Sequence, residues 1–104
     1  MSASSAVSNR LKNVAMPVVA NACGHLAEVG PATPSAAGCE DCLVTGDTWV
    51  HLRVCMTCGH VGCCDNSKNR HATRHFHATS HPIIQSFEPG ESWLWCYVDE
   101  QFMV

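Results

Sequence analysis

The chain has 104 residues, a net charge of −3, only six Lys and Arg together, eight cysteines and seven histidines. That length suits one domain, too small to be held comfortably by apolar burial alone, so extra staples are expected. The charge leaves room for no more than a small basic face, which argues against nucleic-acid binding, and no apolar run reaches the roughly 18–20 residues of a membrane-spanning helix.

Residues 1–20, rich in Ser and Ala and weakly patterned, read as a flexible arm; the domain is expected over 21–104. A secretory leader is poorly formed there, without a clear basic start and with Pro17 interrupting a short apolar stretch. The chain is therefore expected to be cytoplasmic, where disulfides do not persist, and its cysteines to be metal ligands or redox groups. VGPATPSAAG (29–38) is a loop by its prolines and glycines. TWVHLRVC (48–55) alternates Val50, Leu52 and Val54 against Trp49, His51 and Arg53, the pattern of a half-buried strand. HATRHFHATS (71–80) reads as a short helix, with Asn66 or Ser67 as candidate N-caps. PIIQSF (82–87) is a second strand and EPGE (88–91) a turn. SWLWCYV (92–98) is a third strand, with Trp93, Trp95 and Tyr97 on one face and Leu94, Cys96 and Val98 on the other. The sum is a small α+β domain.

Two Cys-x-x-Cys pairs, Cys39–Cys42 and Cys55–Cys58, each lie near a turn signal, and this spacing lets two thiolates reach one ion. One pair alone would also suit redox chemistry. Two pairs followed by a cysteine and a His-rich helix make a strong zinc pattern, and neither pair sits in the βαβ context of a redox motif. Cys23-x-His25 near the start and Cys96-x-x-Asp99 near the end form a third incomplete set. Cys23, His25, Cys39, Cys42, Cys55, Cys58, Cys63, His71, His75, His81, Cys96 and Asp99 are twelve ligands, enough for three tetrahedral Zn²⁺. Two ions, with Cys23 and Cys96 as buried thiols, are the alternative, and Cys64 competes with Cys63 as a ligand. His51, His60 and His77 are left over as surface or packing residues. Three Zn²⁺ and seven thiolates would make the net charge about −4, so the loaded domain stays acidic.

Catalysis is not expected. No His-Glu-x-x-His occurs, since HATRH has the spacing without the Glu, and the deaminase pattern is missing. Four protein ligands per ion close a site, and closed sites are structural. Cys64 beside the His-rich helix is better read as a packing thiol than as a nucleophile.

The run CEDC…WVHLRVCMTCGHVGCC…RHATRHFHATSHP…WLWCYVDE resembles the ubiquitin-hydrolase-type (UBP-type) zinc finger, over about residues 23–99. The resemblance implies a small zinc-stapled α+β domain with a twisted antiparallel sheet and one or two short helices. It groups Cys39, Cys42, Cys63 and His71; Cys55, Cys58, His75 and His81; and Cys23 and His25 with the terminal pair. Spacing alone would give His71 and His75 one shared ion, since residues four apart share a helix face; the resemblance assigns them to neighbouring ions. It further implies a non-catalytic protein-interaction module whose pocket holds the free Gly-Gly tail of ubiquitin between aromatic walls, matched here by Trp95 and Tyr97. Members read Cys-Gly-Arg where this chain has Cys63-Cys64-Asp65, and a cysteine where it has Asp99. An Asp repels the carboxylate that the family's Arg holds, so ubiquitin is not inherited as ligand from the motif alone. Arg53 and Arg70 remain to receive a carboxylate, and the expected partner is a protein or peptide C-terminus, Gly-Gly-ended ones included. Beside this stand a structural interaction domain with no tail pocket and, third, a nucleic-acid-binding finger using Lys68, Arg70 and Arg74.

Overall fold

The computed structural model describes residues 13–104. Its centre is one antiparallel sheet of five strands: β1 (Leu52–Cys55), β2 (Val61–Cys63), β3 (Ile83–Ser86), β4 (Leu94–Cys96) and β5 (Gln101–Met103), in the order β2-β1-β3-β4-β5. Two helices, α1 (Glu40–Thr45) and α2 (His71–Thr79), and a 3-10 turn, Gly24–Glu28, complete the α+β fold. No helix among the described residues is long and apolar enough to cross a membrane.

The strands bury the expected residues and run shorter than the sequence pattern. Leu52 and Val54 of β1 and Leu94 and Cys96 of β4 face the core. Val50, expected beside them, precedes β1 and is 54% exposed, and Val98, expected with Leu94, is 53% exposed beyond β4. Strand β4 ends early because the chain turns there: the Asp99 amide donates to Cys96 Sγ at 3.4 Å. Strand β3 lies at the sheet's centre, and all four of its residues are buried. Ile83, Leu94 and Met103 are fully buried side chains, each contributing roughly 1.5–3 kcal/mol.

Helix α2 matches its expected span but not its expected caps. Arg70 occupies the N-cap in the left-handed region (φ 48°) without a side-chain cap bond. The Ser67 hydroxyl instead accepts the Val50 amide at 2.9 Å. The first amide of α2, that of His71, donates to Cys63 Sγ at 3.2 Å, so a cysteine sulfur serves as its cap. Helix α1 begins after Cys39, carries Glu40 and Asp41 in its first turn and stops at Gly46 in the left-handed region. Both acids suit the positive end of the helix.

The chain's early residues seal one side. Of the expected arm, residues 1–12 lie outside the described residues. Val14 exchanges backbone hydrogen bonds with Ala32, and the Ala20 amide donates to the Val104 carbonyl. Asn21 bonds the backbone of Phe102 and Val104 through its side chain.

Strand β2 approaches α2 so closely that Gly62 has no space for a side chain. A Cβ there would lie 2.6 Å from the Ala72 amide nitrogen and 2.9 Å from Ala72 Cα. Gly62→Ala is expected to destabilise the zinc-loaded chain by about 1–3 kcal/mol through overpacking. Gly30→Ala, where a Cβ meets nothing within 4 Å, is expected to stay within about 0.5 kcal/mol of wild type. Urea denaturation of both variants checks the contrast.

Candidate metal centres and the adjoining cavity

Three sets of four side chains converge, and within each the ligand atoms all lie within 4.8 Å of one another. They are Cys39, Cys42, Cys63 and His71; Cys55, Cys58, His75 and His81; and Cys23, His25, Cys96 and Asp99. All twelve ligand candidates read from the sequence are brought together, and Cys63 rather than Cys64 joins the first set.

In the first set Cys39 and Cys42 flank the start of α1, Cys63 ends β2 and His71 opens α2. The His71 Nδ1 lies 3.3, 3.4 and 3.6 Å from the sulfurs of Cys39, Cys42 and Cys63. The second set is built on the β1–β2 turn, with His75 from the middle of α2 and His81 from the segment just after it. His75 Nε2 lies 3.3 Å from Cys58 Sγ and 3.3 Å from His81 Nδ1, which is 3.5 Å from Cys55 Sγ. In that turn Gly59 holds φ 82°, and a Cβ would fall 1.9 Å from the Thr33 carbonyl oxygen, so only glycine fits. The third set joins the 3-10 turn to the end of β4. His25 Nδ1 is 3.0 Å from Asp99 Oδ2 and 3.6 Å from Cys96 Sγ.

The spacings of the first two sets fit zinc, and the third departs only in the closer His25–Asp99 pair at 3.0 Å. Four ligands bonded at about 2.0–2.3 Å in a tetrahedron stand roughly 3.3–3.8 Å apart. Sulfur and imidazole nitrogen are the donors Zn²⁺ prefers, and a carboxylate is also accepted. In the metal-free chain, burial pushes the Cys39 thiol up to about 12, with the neighbouring Cys63 and Cys42 adding to it. Burial likewise raises Cys55 and Cys96. His75 moves down, through burial and then the nearby His60 and His81, which favours the neutral imidazole that a metal needs.

His60 was a spare histidine in the sequence; its ring stacks on His75 at 4.2 Å with an interplanar angle of 2°. Its Nε2 lies 2.9 Å from Asp41 and 3.4 Å from Glu40, beside the second metal set. No spacing rule could have announced this contact across two elements.

On the other side of α2 lies an open cavity of about 250 Å³. Arg53, Trp93, Trp95, Tyr97 and Phe102 line it, with Cys64 and Asp65 on the same surface. Arg53 stands 4.5 Å over the Trp93 ring, and its Nη1 donates to the Leu52 carbonyl at 2.8 Å. Phe102 meets Trp93 and Trp95 edge-on at 5.1 Å. Burial pushes the Tyr97 hydroxyl up to about 12. Three of the four tail-binding residues suggested by the sequence (Arg53, Trp95 and Tyr97) meet here; Arg70, exposed at the N-cap of α2, does not line the cavity. Phe102 was missed because the strand carrying it is three residues long. Cys64 is buried with its sulfur 3.5 Å from Ser67 Oγ. Burial raises this thiol, but the Ser67 hydroxyl, neighbouring backbone amides and Arg53 outweigh it and bring it down.

A family model described as the Zn-finger in ubiquitin-hydrolases and other protein matches residues 39–104. The chain belongs to this zinc-finger family. It is 37% identical over 65 residues to NAD-dependent deacetylase sir2A of Dictyostelium discoideum, covering 62% of this chain and 11% of that protein. It is 31% identical over 71 residues to ubiquitin carboxyl-terminal hydrolase 44 of Ailuropoda melanoleuca, covering 68% and 9%. The chain thus spans about a tenth of these curated relatives, and the match is to the finger region of proteins named as enzymes. A solution NMR structure of a Rhodopseudomonas palustris protein superimposes with a TM-score of 0.76 at 61% identity, over 80% of this chain and 81% of that one.

Because burial raises the Cys39, Cys55 and Cys96 thiols, a metal ion that takes them as thiolates must displace their protons. Zinc affinity is therefore expected to fall as pH drops from 8 to 6. Competition against a chromogenic chelator at both values checks this, and an affinity indifferent to pH would contradict the thiolate assignment.

Proposed function

We propose that this chain is a non-catalytic interaction module, held together by three structural zinc ions, that captures a free peptide C-terminus. In this reading each four-donor set holds one Zn²⁺ and leaves no position open for substrate. The metal then supplies folding free energy rather than chemistry. Seven thiolate ligands suit a reducing compartment, so we place the protein in the cytoplasm.

The observation that carries the binding proposal is the joint lining of one cavity by Arg53 and the aromatic rings of Trp93, Trp95, Tyr97 and Phe102. Aromatic faces hold flat peptide backbone, and tails ending in glycine fit between them without side-chain clashes. A guanidinium gives a carboxylate two parallel hydrogen bonds. Arg53 is held by its bond to Leu52 and its seat on Trp93, so little freedom is lost when a tail arrives. It takes the place of the family's Arg, which this chain replaces at Cys64-Asp65. The names of the ubiquitin hydrolase relatives make a Gly-Gly-ended tag a natural first probe.

Native mass spectrometry is expected to show three Zn²⁺ on the wild-type chain and two on Asp99→Ala; two on both would remove the third site. In NMR titrations, a peptide ending in Gly-Gly with a free carboxylate is expected to shift the Trp93 and Trp95 indole signals. The amidated peptide is expected to bind about ten-fold more weakly, and Arg53→Gln to abolish that difference, consistent with a charged hydrogen bond of about 1.5 kcal/mol. Equal shifts from both peptides would count against carboxylate capture.

A further inference from the structure

The tail reading uses only one of two opposite charges in the cavity. Asp65 shares the lining with Arg53 and is exposed. Its Oδ1 accepts a hydrogen bond from Thr73 Oγ1 at 2.5 Å, and Thr73 Oγ1 in turn lies 3.3 Å from the Tyr97 hydroxyl. The carboxylate is thereby oriented from α2 against the aromatic wall. Arg53, Asp65 and Tyr97 line the same cavity, and the two charges act on the Tyr97 hydroxyl in opposite senses, Asp65 raising and Arg53 lowering its pKa. Among the described residues, no Lys, Arg or His forms an ion pair with Asp65.

We infer that Asp65 makes this cavity selective for C-terminal tails that carry a basic side chain within a few residues of the free carboxylate. Arg53 takes the carboxylate, Asp65 takes the ammonium or guanidinium, and the aromatic rings take the backbone between them. This deepens the tail reading above and rests on it.

Electrostatics sets the direction. Charges sharing one small cavity lie within about a Debye length, roughly 8 Å at physiological salt, so salt does not erase their effect on a bound ligand. A neutral tail covers Asp65 without giving it a partner, and an acidic tail is repelled. A basic tail complements both ends of the dipolar cavity at once. The oriented Asp65 also loses little freedom on pairing, which separates it from an ordinary surface acid whose ion pairs are worth almost nothing.

The test uses the full, zinc-loaded chain and three acetylated pentapeptides, each ending in a free Gly-Gly carboxylate. They differ only at the preceding position, which is Lys, norleucine or Glu. Affinities are read by NMR titration or calorimetry. The Lys peptide is expected to bind about five-fold tighter than the norleucine one, and the Glu peptide to be weakest. Asp65→Asn is expected to make the three converge, and Asp65→Lys to reverse the order; a zinc count unchanged by either substitution confirms an intact fold. Equal affinity of all three for wild type overturns the role of Asp65 and leaves carboxylate capture standing. A Lys preference that survives amidation keeps Asp65 as the cation site and overturns the carboxylate at Arg53. No binding by any peptide overturns both.

Discussion

Seven sulfurs, four imidazoles and one carboxylate aim their lone pairs at three small volumes. The donors crowd one another: in one set two imidazole nitrogens stand 3.3 Å apart, within hydrogen-bond reach, and a cation there would take the place of the protons between them. One structural Zn²⁺ contributes on the order of 10 kcal/mol near neutral pH, as much as the whole stability of many domains. The apolar core here is a thin layer around Leu52, Val54, Ile83, Leu94 and Met103. On those magnitudes, ions in the candidate sets would outweigh the apolar layer, and the sets are also where α2 begins and where residues 23–25 meet residues 96–99.

Helix α2 is where these demands intersect. His71 at its start and His75 one turn later face different metal sets, while Thr73 and Phe76 address the cavity through Tyr97. Nine residues thus contribute to two candidate metal sets and pack against the cavity wall at once. The close seat of Gly62 beneath Ala72 fixes the height of the helix over the sheet. A shift of the helix would disturb ligand geometry and cavity shape together. In the proposed reading, ions held in these sets would be the rigid support that keeps Arg53, Tyr97 and Asp65 placed for a peptide tail.

Much of this was legible in the sequence, for identifiable reasons. Metal-ligand spacing is a local property, so Cys-x-x-Cys pairs and the His-rich helix announced their residues before any fold was known. Alternation exposed the faces of β1 and β4 because each has one buried side. Helix α1 stayed hidden because it is six residues long and is defined by its cysteines more than by any periodicity. Strands β2 and β5 were missed because three residues cannot display a period. The assignment of His71 and His75 to different sets came only from family resemblance, since their spacing favours a single ion. The His60–His75 stack and the inclusion of Phe102 in the cavity wall are tertiary events with no local signature.

Asn21 carries a consequence of a different kind. Its side-chain amide donates to the Phe102 carbonyl and accepts from the Val104 amide, doing for β5 what a neighbouring strand would do. An unpaired sheet edge is a template for another chain, and next to it Phe102 is 55% exposed. Together with the Ala20 amide on the Val104 carbonyl, the Asn21 side chain, long before β5 in sequence, occupies hydrogen-bonding groups that another chain could otherwise use. The segment before the first candidate metal ligand thus covers a sheet edge as well as contributing to the fold.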